Sequence, residues 1–311
     1  MSAKITRILN PTDFSVATEA PSRLAARLAM RTQASLVLFH AIPLDEGLED
    51  AARDPHLGRS RKQLELWFET VVPEETRRFL SVEFRVTIGE PARAIILAAQ
   101  ETGADLIVMG THGRSGVPHL LMGSVTEAVM RAAPAPVLTL KMGEGGDRLA
   151  AVRRILWATD LSPASEEAWR YALKLADVFA AEVLLVHAVP PSEIAGLGDI
   201  LVPPPWNWLE RHLKPLERAL EGRQREVEAL GLTARRKIAV GYPADVIVSE
   251  AQMEQADLII VGTHGYTGLT HVLLGSVAEA VTRKAPCPVL AVRVKTADAG
   301  KELRGVAGAQ S

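Results

Sequence analysis

The sequence predicts an α/β protein made of two tandem copies of one doubly wound domain, each built on a five-stranded parallel sheet. Two observations carry this prediction. Long stretches of the first half return in the same order in the second half, and short apolar runs alternate with longer segments of helical periodicity in both halves. Such alternation is typical of parallel strands joined by crossover helices. A chain of 311 residues also fits about two domains of ordinary size.

The internal repeat is the clearest pattern in the chain. The segment Ile8–Ser15, ILNPTDFS, returns as Ile155–Ser162, ILWATDLS, and the segment Gly89–Gly113 returns as Gly241–Gly265. A period of about 150 residues is too long for a solenoid repeat, so the repeat indicates a duplicated domain. We expect domains at residues 1–142 and 152–295, a linker at 143–151 and a flexible tail at 296–311.

The elements of the first copy follow from its apolar runs and helical patterns. The strands have no clean two-residue alternation, which indicates burial on both faces of the sheet. The predicted strands are Ile5–Leu9, Leu36–His40, Val82–Thr87, Leu106–Met109 and Val137–Leu140. The predicted helices are Ala17–Arg31, Arg59–Phe79, Ala92–Glu101 and Ser124–Arg131. Ligands of such sheets bind outside the carboxyl ends of the strands, so the residues that end strands are the candidates for function.

Composition excludes several classes of protein. The formal net charge is −2 and the charge is balanced in both halves, so we expect no nucleic-acid partner. No apolar run reaches the length of about 18 residues that a membrane span needs, so we expect no membrane partner. The single cysteine, Cys287, fits a reducing compartment, and we expect a cytoplasmic protein.

A glycine motif follows the fourth strand of each copy. It reads G-T-H-G, nine residues, and then G-S at the start of a helix. Glycine allows close approach to the backbone, and a helix N-terminus presents free N–H groups that suit phosphate. The motif predicts a phosphate-binding loop at these residues: Gly110, Gly113, Gly123 and Ser124, then Gly262, Gly265, Gly275 and Ser276.

A structural interpretation competes with this functional one. Ser124 with Glu127, and Ser276 with Glu279, have the spacing of capping boxes, in which the serine and the glutamate cap the helix reciprocally. The glycines would then serve only as tight turns. The two interpretations are compatible, because a hydroxyl can cap a helix in one state and bind phosphate in another.

An aspartate follows the first strand of each copy. Asp13 comes after Pro11 and Thr12, and Asp160 comes after Ala158 and Thr159. A carboxylate at this place could accept a hydrogen bond from a ribose hydroxyl or a base amino group. The alternative is a local turn, in which the carboxylate accepts from the backbone near Ser15 or Ser162.

These residues resemble the universal stress protein family. The resemblance rests on the G-x2-G-x9-G-S spacing, the aspartate after the first strand, and the endings APAPVL at Ala133–Leu138 and APCPVL at Ala285–Leu290. It covers both copies and implies an adenine-nucleotide alpha-hydrolase-like fold with strand order 3-2-1-4-5. It also implies the branch of the family that binds ATP or ADP, with Mg²⁺ on the phosphates.

The resemblance also implies which residues would line the nucleotide. In the first copy they are Pro11, Asp13, Ala41, Met109, Gly110, Gly113, Gly123, Ser124 and Val125. In the second copy they are Asp160, Ala188, Val261, Gly262, Gly265, Gly275, Ser276 and Val277. It implies no catalytic residue and no separate metal site.

Three functions remain open at this point. The first is an ATP-binding protein with a regulatory or stress-response role and little or slow hydrolysis. The second is an ATP-consuming enzyme, such as a slow ATPase or an autophosphorylating protein, although the chain has no G-x4-G-K-[ST] loop. The third is a scaffold whose pockets bind another small ligand.

The final strand of each copy predicts how the copies assemble. Val137–Leu140 and Val289–Val292 are short and apolar, and the family's strand order places both at a sheet edge, where unpaired backbone groups recruit another strand. We expect an intramolecular pseudo-dimer with these strands antiparallel, and a proline at Leu138 should weaken it. A homodimer of the whole chain is left open.

Overall fold

The structure, a computed structural model, describes residues 3–43, 53–111, 122–141, 152–192, 208–263 and 274–293. Its ten described strands form one continuous sheet in the order β3-β2-β1-β4-β5-β10-β9-β6-β7-β8. The order 3-2-1-4-5 therefore occurs in the first half and is mirrored in the second. This confirms the predicted α/β class.

The first domain alternates strands and helices along the chain. Its strands are β1 Arg7–Pro11, β2 Ser35–Ile42, β3 Val82–Ile88, β4 Leu106–Gly110 and β5 Val137–Leu140. Its helices are α1 Glu19–Thr32, α2 Arg53–Val71, α3 Glu74–Arg77, α4 Pro91–Thr102 and α5 Ser124–Ala132. The five strands of this domain run parallel to their neighbours.

The second domain repeats this plan. Its strands are β6 Arg154–Ala158, β7 Glu182–Val189, β8 Ala234–Val240, β9 Leu258–Gly262 and β10 Val289–Val292. Its helices are α6 Pro163–Phe179, α7 Trp208–Glu228, α8 Pro243–Met253 and α9 Ser276–Lys284. These strands too are parallel to their neighbours within the domain.

Most predicted elements differ from the structure by one or a few residues at their ends, and two of these differences have a clear structural reason. Strand β1 ends at Pro11 rather than Leu9, because the buried Asn10 amide donates to the Val108 carbonyl of β4 at 2.8 Å and stays inside the sheet. The predicted helix Arg59–Phe79 is divided at Pro73, which lacks an N–H and stands at the N-cap of α3.

Two apolar layers cover the sheet. One contains Ile8, Leu24 and Leu64 of the first domain and Trp157 and Leu175 of the second, so it runs beneath α1, α2 and α6 across both domains. The opposite layer lies beneath α4, α5, α8 and α9. With both faces covered, the strands are buried throughout the middle of the sheet, as their unalternating apolar runs predict.

The two domains join through β5 and β10, which pair antiparallel. Leu138 lies opposite Leu290, its equivalent in the other copy, and the flanking pairs are Thr139 with Val289 and Val137 with Ala291. The pairing is therefore symmetric about the Leu138–Leu290 pair. This is the arrangement that the apolar edge strands predict.

The expectation that a proline at Leu138 removes an edge N–H is wrong. The Ile107 N–H donates to the Pro136 carbonyl and the Thr111 N–H to the Leu140 carbonyl, so alternate residues of β5 face β4. Leu138 lies between these two and belongs to the same set. Its N–H therefore faces β4, and the N–H of Thr139 is the one that faces β10.

Side chains add reciprocal contacts on either side of the β5–β10 pair. Lys141 donates to the Ala285 carbonyl at the end of α9, and Arg293, its equivalent, donates to the Arg131 carbonyl at the end of α5. Cations at helix C-termini are favourable because they face the negative end of the helix dipole. Each domain thus caps a helix of the other.

A tyrosine makes a further contact between the domains. The Tyr171 hydroxyl of α6 donates to the Asp105 carbonyl of the first domain at 3.2 Å. Burial raises the pKa of the Tyr171 hydroxyl, and the carboxylates of Asp105 and Glu167 add to this effect. The neutral hydroxyl is therefore the form that the domain contact favours. None of the helices in the described ranges is long and apolar enough to cross a membrane.

Candidate functional site

The site lies where β1 and β4 separate, at the carboxyl edge of the sheet. The two strands are neighbours, but the chain leaves β1 toward β2 and leaves β4 toward β5, which makes this the switch point of the first domain. The pair β6 and β9 forms the equivalent point in the second domain. Both predicted motifs, the aspartate and the glycines, therefore meet at one edge in each copy.

The loop after β1 holds Asp13 in a tight turn. Its Oδ1 accepts from the Ser15 N–H at 3.0 Å and from the Ser15 hydroxyl. The Thr12 hydroxyl accepts from the Phe14 N–H at 3.0 Å. The local turn weighed as an alternative for Asp13 is therefore present, and the carboxylate is fixed in position by it.

The second copy reproduces this loop. Asp160 Oδ1 accepts from the Ser162 N–H at 3.0 Å, and the Thr159 hydroxyl accepts from the Leu161 N–H at 2.9 Å. The Ser162 hydroxyl in turn accepts from the Ser165 N–H and caps α6. Asp160 is exposed, and Asp13 is partly buried.

The residue after each aspartate has a left-handed backbone. Phe14 has φ 65° and Leu161 has φ 61°. Left-handed backbone costs a residue with a side chain about 1 kcal/mol or more, and strain of this kind clusters at binding sites, where the surrounding structure holds it. The strain recurs at the same loop position in both copies, and it turns the chain from the strand into the following helix.

A buried histidine supports each loop from the second strand. The His40 Nδ1 lies 2.8 Å from the Thr12 carbonyl, and the His187 Nδ1 lies 2.8 Å from the Thr159 carbonyl. Both rings are buried. These histidines position the aspartate loops, a role that the sequence shows only through their recurrence at the same offset.

The glycine motif folds back onto the end of β4. The Gly123 N–H donates to the Thr111 carbonyl at 2.8 Å, and the Gly275 N–H donates to the Thr263 carbonyl at 2.8 Å. In the first copy, the Thr126 hydroxyl also donates to the Gly110 carbonyl at 2.8 Å. The strand end and the start of the next helix are therefore brought together in both copies, as the motif predicts.

The capping-box interpretation is wrong. The N-cap residues are Gly123 and Gly275, and neither helix has a side-chain cap. Glu127 is instead paired with Arg131 one turn along α5, and Glu279 is paired with Arg283 one turn along α9. Because the serine stands one residue inside the helix, its hydroxyl cannot close a capping box.

The starts of α5 and α9 have exposed serines and no side-chain cap. Ser124 and Ser276 are exposed at the first position of α5 and α9. By contrast, Glu90 caps α4 by accepting from the Ala92 N–H at 2.9 Å. Within the described ranges, the first-turn N–H groups of α5 and α9 have no side-chain acceptor, and they lie at the carboxyl edge of the sheet.

The glycines of the motif have different structural reasons. A Cβ on Gly262 would lie 2.9 Å from the Ala164 backbone carbon and 3.0 Å from the Ser165 nitrogen, so packing against α6 requires a glycine there. Gly123 and Gly275 have φ −61°, a backbone that any residue adopts. Conformation therefore does not explain the two glycines that begin the helices.

Apolar residues of both copies form the wall beside the helix starts. Ala41, Met109 and Val125 belong to or pack against one apolar layer, and Ala188, Val261 and Val277 do the same in the second copy. Pro11 ends β1 and is buried. Gly113 and Gly265 lie outside the described residues, as do the loops that contain them, 112–121 and 264–273.

Comparison with known proteins identifies this arrangement. The pattern of the Universal stress protein family matches residues 4–141 and 151–293. The chain belongs to the universal stress protein family. The two matched segments correspond to the two copies of the repeat, so the resemblance seen in the sequence is confirmed.

Some curated relatives match one half of this chain, and others match about two thirds of it. A universal stress protein of Methanocaldococcus jannaschii is 38% identical over 142 residues, which are 45% of this chain and 82% of that protein. A universal stress protein of Mycolicibacterium smegmatis is 30% identical over 219 residues, 69% of each chain.

Solved structures support the fold over the whole chain. The crystal structure of a universal stress protein from Archaeoglobus fulgidus matches with a TM-score of 0.69 and 21% identity, over 94% of this chain and 99% of that one. A functionally unknown protein from Pseudomonas aeruginosa matches with a TM-score of 0.64 and 19% identity, over 97% and 98% of the chains.

Proposed function

We propose that this universal stress protein binds ATP or ADP in each of its two domains, with Mg²⁺ carried on the phosphates. We further propose a regulatory or stress-response role in the cytoplasm, with little or slow hydrolysis. The observation that carries the proposal is the start of α5 and of α9, where a glycine N-cap leaves the first-turn N–H groups without a side-chain cap. The aspartate loops follow β1 and β6, the strands that neighbour β4 and β9.

Phosphate fits the start of these helices. The first-turn N–H groups of α5 and α9 point out of the helix at its positive end, and the exposed hydroxyls of Ser124 and Ser276 stand beside them. The glycine N-caps place no side chain over these donors. Gly113 and Gly265, on the loops between strand and helix, complete the proposed phosphate contacts.

Adenosine fits the other side of the switch point. Asp13 and Asp160 present carboxylates that accept from a ribose hydroxyl or a base amino group, and Ala41 and Ala188 lie near the ends of the second strands. Met109 and Val261 stand one residue before the end of the fourth strand of each domain, and with Val125 and Val277 they give an apolar wall. Pro11 stiffens the first loop, where the second copy has Ala158.

The cytoplasmic assignment rests on the thiol. Cys287 is buried and is not part of a disulfide. A chain with a single cysteine fits a reducing compartment, where disulfides are rare.

Calorimetric titration with ATP and ADP tests the proposal. We expect wild-type protein to bind two nucleotides per chain. Gly123→Val should lower the affinity of the first site at least tenfold and Gly275→Val that of the second, because each places a side chain where phosphate must lie. Valine adopts the backbone of both positions, so the fold should survive, and thermal unfolding checks this.

The controls separate phosphate binding from general damage. Gly222→Ala, on the exposed surface of α7, should leave both affinities unchanged. Each single variant should keep one site of wild-type affinity, and the double variant should lose both. Wild-type protein that gives no heat with millimolar ATP or ADP would disprove the proposal.

A further inference from the structure

Among the described residues, the ten-stranded sheet ends in two edge strands, β3 and β8, each with a strand neighbour on one side only. An edge strand presents unpaired backbone N–H and C=O groups, which can pair with another strand. The two edges occupy equivalent positions in the two domains, yet their side chains differ in charge.

Two hydrogen bonds beside β2 establish which backbone groups of β3 face outward. The Leu36 N–H of β2 donates to the Ser81 carbonyl, and the Gly89 N–H donates to the Ile42 carbonyl of β2. In a parallel ladder, alternate residues direct both of their backbone groups to the same neighbour. Val82, Phe84 and Val86 therefore direct their N–H and C=O groups to the open edge.

A recess along β3 makes this edge accessible. It has a volume of about 900 Å³ and follows the strand from Glu83 to Gly89. Leu57 and Arg61 of α2 line one side, and Arg93 and Leu97 of α4 line the other. The two helices thus flank the edge strand and leave its backbone open between them.

The side chains of β3 are self-complementary in charge. Glu83 and Arg85 lie on the same face of the strand, because they are two residues apart. The Arg85 Nε lies 2.5 Å from Glu83 Oε1, and another of its nitrogens lies 3.5 Å from Glu101. The side chains of Glu83 and Arg85 are 47% and 37% exposed, so both can meet a partner.

We propose that two copies of this chain associate through β3, antiparallel, with Phe84 opposite Phe84 of the partner subunit. In this register the two phenylalanines exchange both backbone hydrogen bonds, and Val82 does the same with the partner's Val86. Glu83 then stands opposite the partner's Arg85, in the pair type where side chains are closest. The two chains form one continuous sheet about a two-fold axis.

Charge selects this register among those that the backbone permits. If the pairing were centred on Arg85, that residue would stand opposite the partner's Arg85. If it were centred on Glu83, that residue would stand opposite the partner's Glu83. Like charges directly opposite are destabilising. The register centred on Phe84 is the one that opposes each glutamate to an arginine.

The β8 edge lacks this complementarity. The equivalents of Glu83 and Arg85 are Arg235 and Lys237, so the same pairing of two β8 strands would oppose cations. Arg235 is held inside its own domain by Glu182 and Glu254. Pairing of β3 with a partner's β8 would not close a two-fold dimer and would propagate into filaments. The β3 edge is therefore the self-associating one.

Sedimentation of the full-length protein tests the proposal. We expect wild-type protein at tens of micromolar to have twice the chain mass of 33.5 kDa. Arg85→Glu and Glu83→Arg should each weaken the dimer at least tenfold, because each opposes like charges. The double variant Glu83→Arg with Arg85→Glu restores opposite charges and should restore the dimer.

Two controls complete the experiment. Lys237→Ala, at the matched position of the other edge, should leave the dimer unchanged. The same masses are expected with and without ATP, so failure here is distinguishable from failure of nucleotide binding. A monomeric wild-type protein, or a dimer that survives both single reversals, would overturn the proposal.

Discussion

At the scale of single residues, glycines of one motif serve separate purposes. Gly262 is required by packing, since a Cβ would press on the backbone of Ala164 and Ser165 at the start of α6. Gly123 and Gly275 have an ordinary backbone, so their lack of a side chain matters for what approaches the helix start. The sequence pattern alone does not separate these two reasons.

We predict that Gly262→Ala destabilises the protein by about 1–3 kcal/mol, since neither contacting backbone can move without shifting α6. Gly222→Ala is the matched control. Its Cβ would have no neighbour within 4 Å, and it lies in α7, where alanine is the better helix former by about 0.5–1 kcal/mol. Denaturant unfolding of the two variants should therefore show changes of opposite sign. Equal behaviour would contradict the packing argument.

The residue scale also marks the limit of sequence reasoning at the site. Recurrence of the motif predicts correctly that the Gly-Ser pair begins a helix next to the strand end. The spacing of Ser124 and Glu127 suggests a capping box, but the helix begins one residue earlier than that motif needs. The left-handed Phe14 and Leu161 have no signal in residue type, because their backbone is imposed by the surrounding loop.

At the scale of elements, periodicity places the strands well and their ends less well. Strand β1 extends to Pro11, and the buried Asn10 side-chain NH₂ donates to the Val108 carbonyl of the neighbouring strand. The sequence does not reveal this tertiary contact. The long helical stretch divides at Pro73, as the missing N–H requires. Apolar patterning thus predicts which elements exist, and their bounds depend on partners elsewhere in the chain.

An ion-pair cluster ties together the beginnings of three strands in the second domain. Glu182 of β7 is paired with Arg154 of β6 at 3.0 Å and with Arg235 of β8 at 2.5 Å. Burial alone would raise the pKa of the Glu182 carboxyl, but hydrogen bonds from Arg235 and Arg154 outweigh it and hold this pKa below its usual value. The ionised carboxylate is therefore the form that stabilises the fold.

We predict a pH-dependent effect of Glu182→Gln. Because the folded pKa is lowered, the carboxylate contributes stability above its unfolded pKa of about 4.3 and loses it as the pH falls through the folded value. The variant should be less stable than wild type by about 1 kcal/mol at neutral pH, and the difference should shrink toward pH 3 and below. Unfolding free energies across this range measure it. Glu217→Gln, at an exposed position of α7, is the control for the substitution itself.

At the scale of the whole molecule, duplication converts an edge strand into an internal one. The apolar strands β5 and β10, which would each be a sheet edge in an isolated domain, cover one another. The linker keeps the two domains at high effective concentration. Lys141 and Arg293 extend the symmetry by capping helices of the opposite domain. The sequence predicts this assembly because the edge strands are apolar. The direction of each N–H along β5 is known only from the pairing register of β5 with β4 and β10.

That orientation moves the decisive substitution from Leu138 to Thr139. The Thr139 N–H faces β10, and its hydroxyl donates to the Val289 carbonyl at 3.2 Å. We predict that Thr139→Pro weakens domain docking by about 2–3 kcal/mol, because proline removes that N–H and its ring crowds the partner strand. Small-angle scattering should then show a larger radius of gyration, while the circular dichroism of both domains is kept. Thr139→Val removes only the hydroxyl bond and should stay near wild type. Scattering of Thr139→Pro that is unchanged from wild type would show that β5–β10 pairing does not hold the domains together.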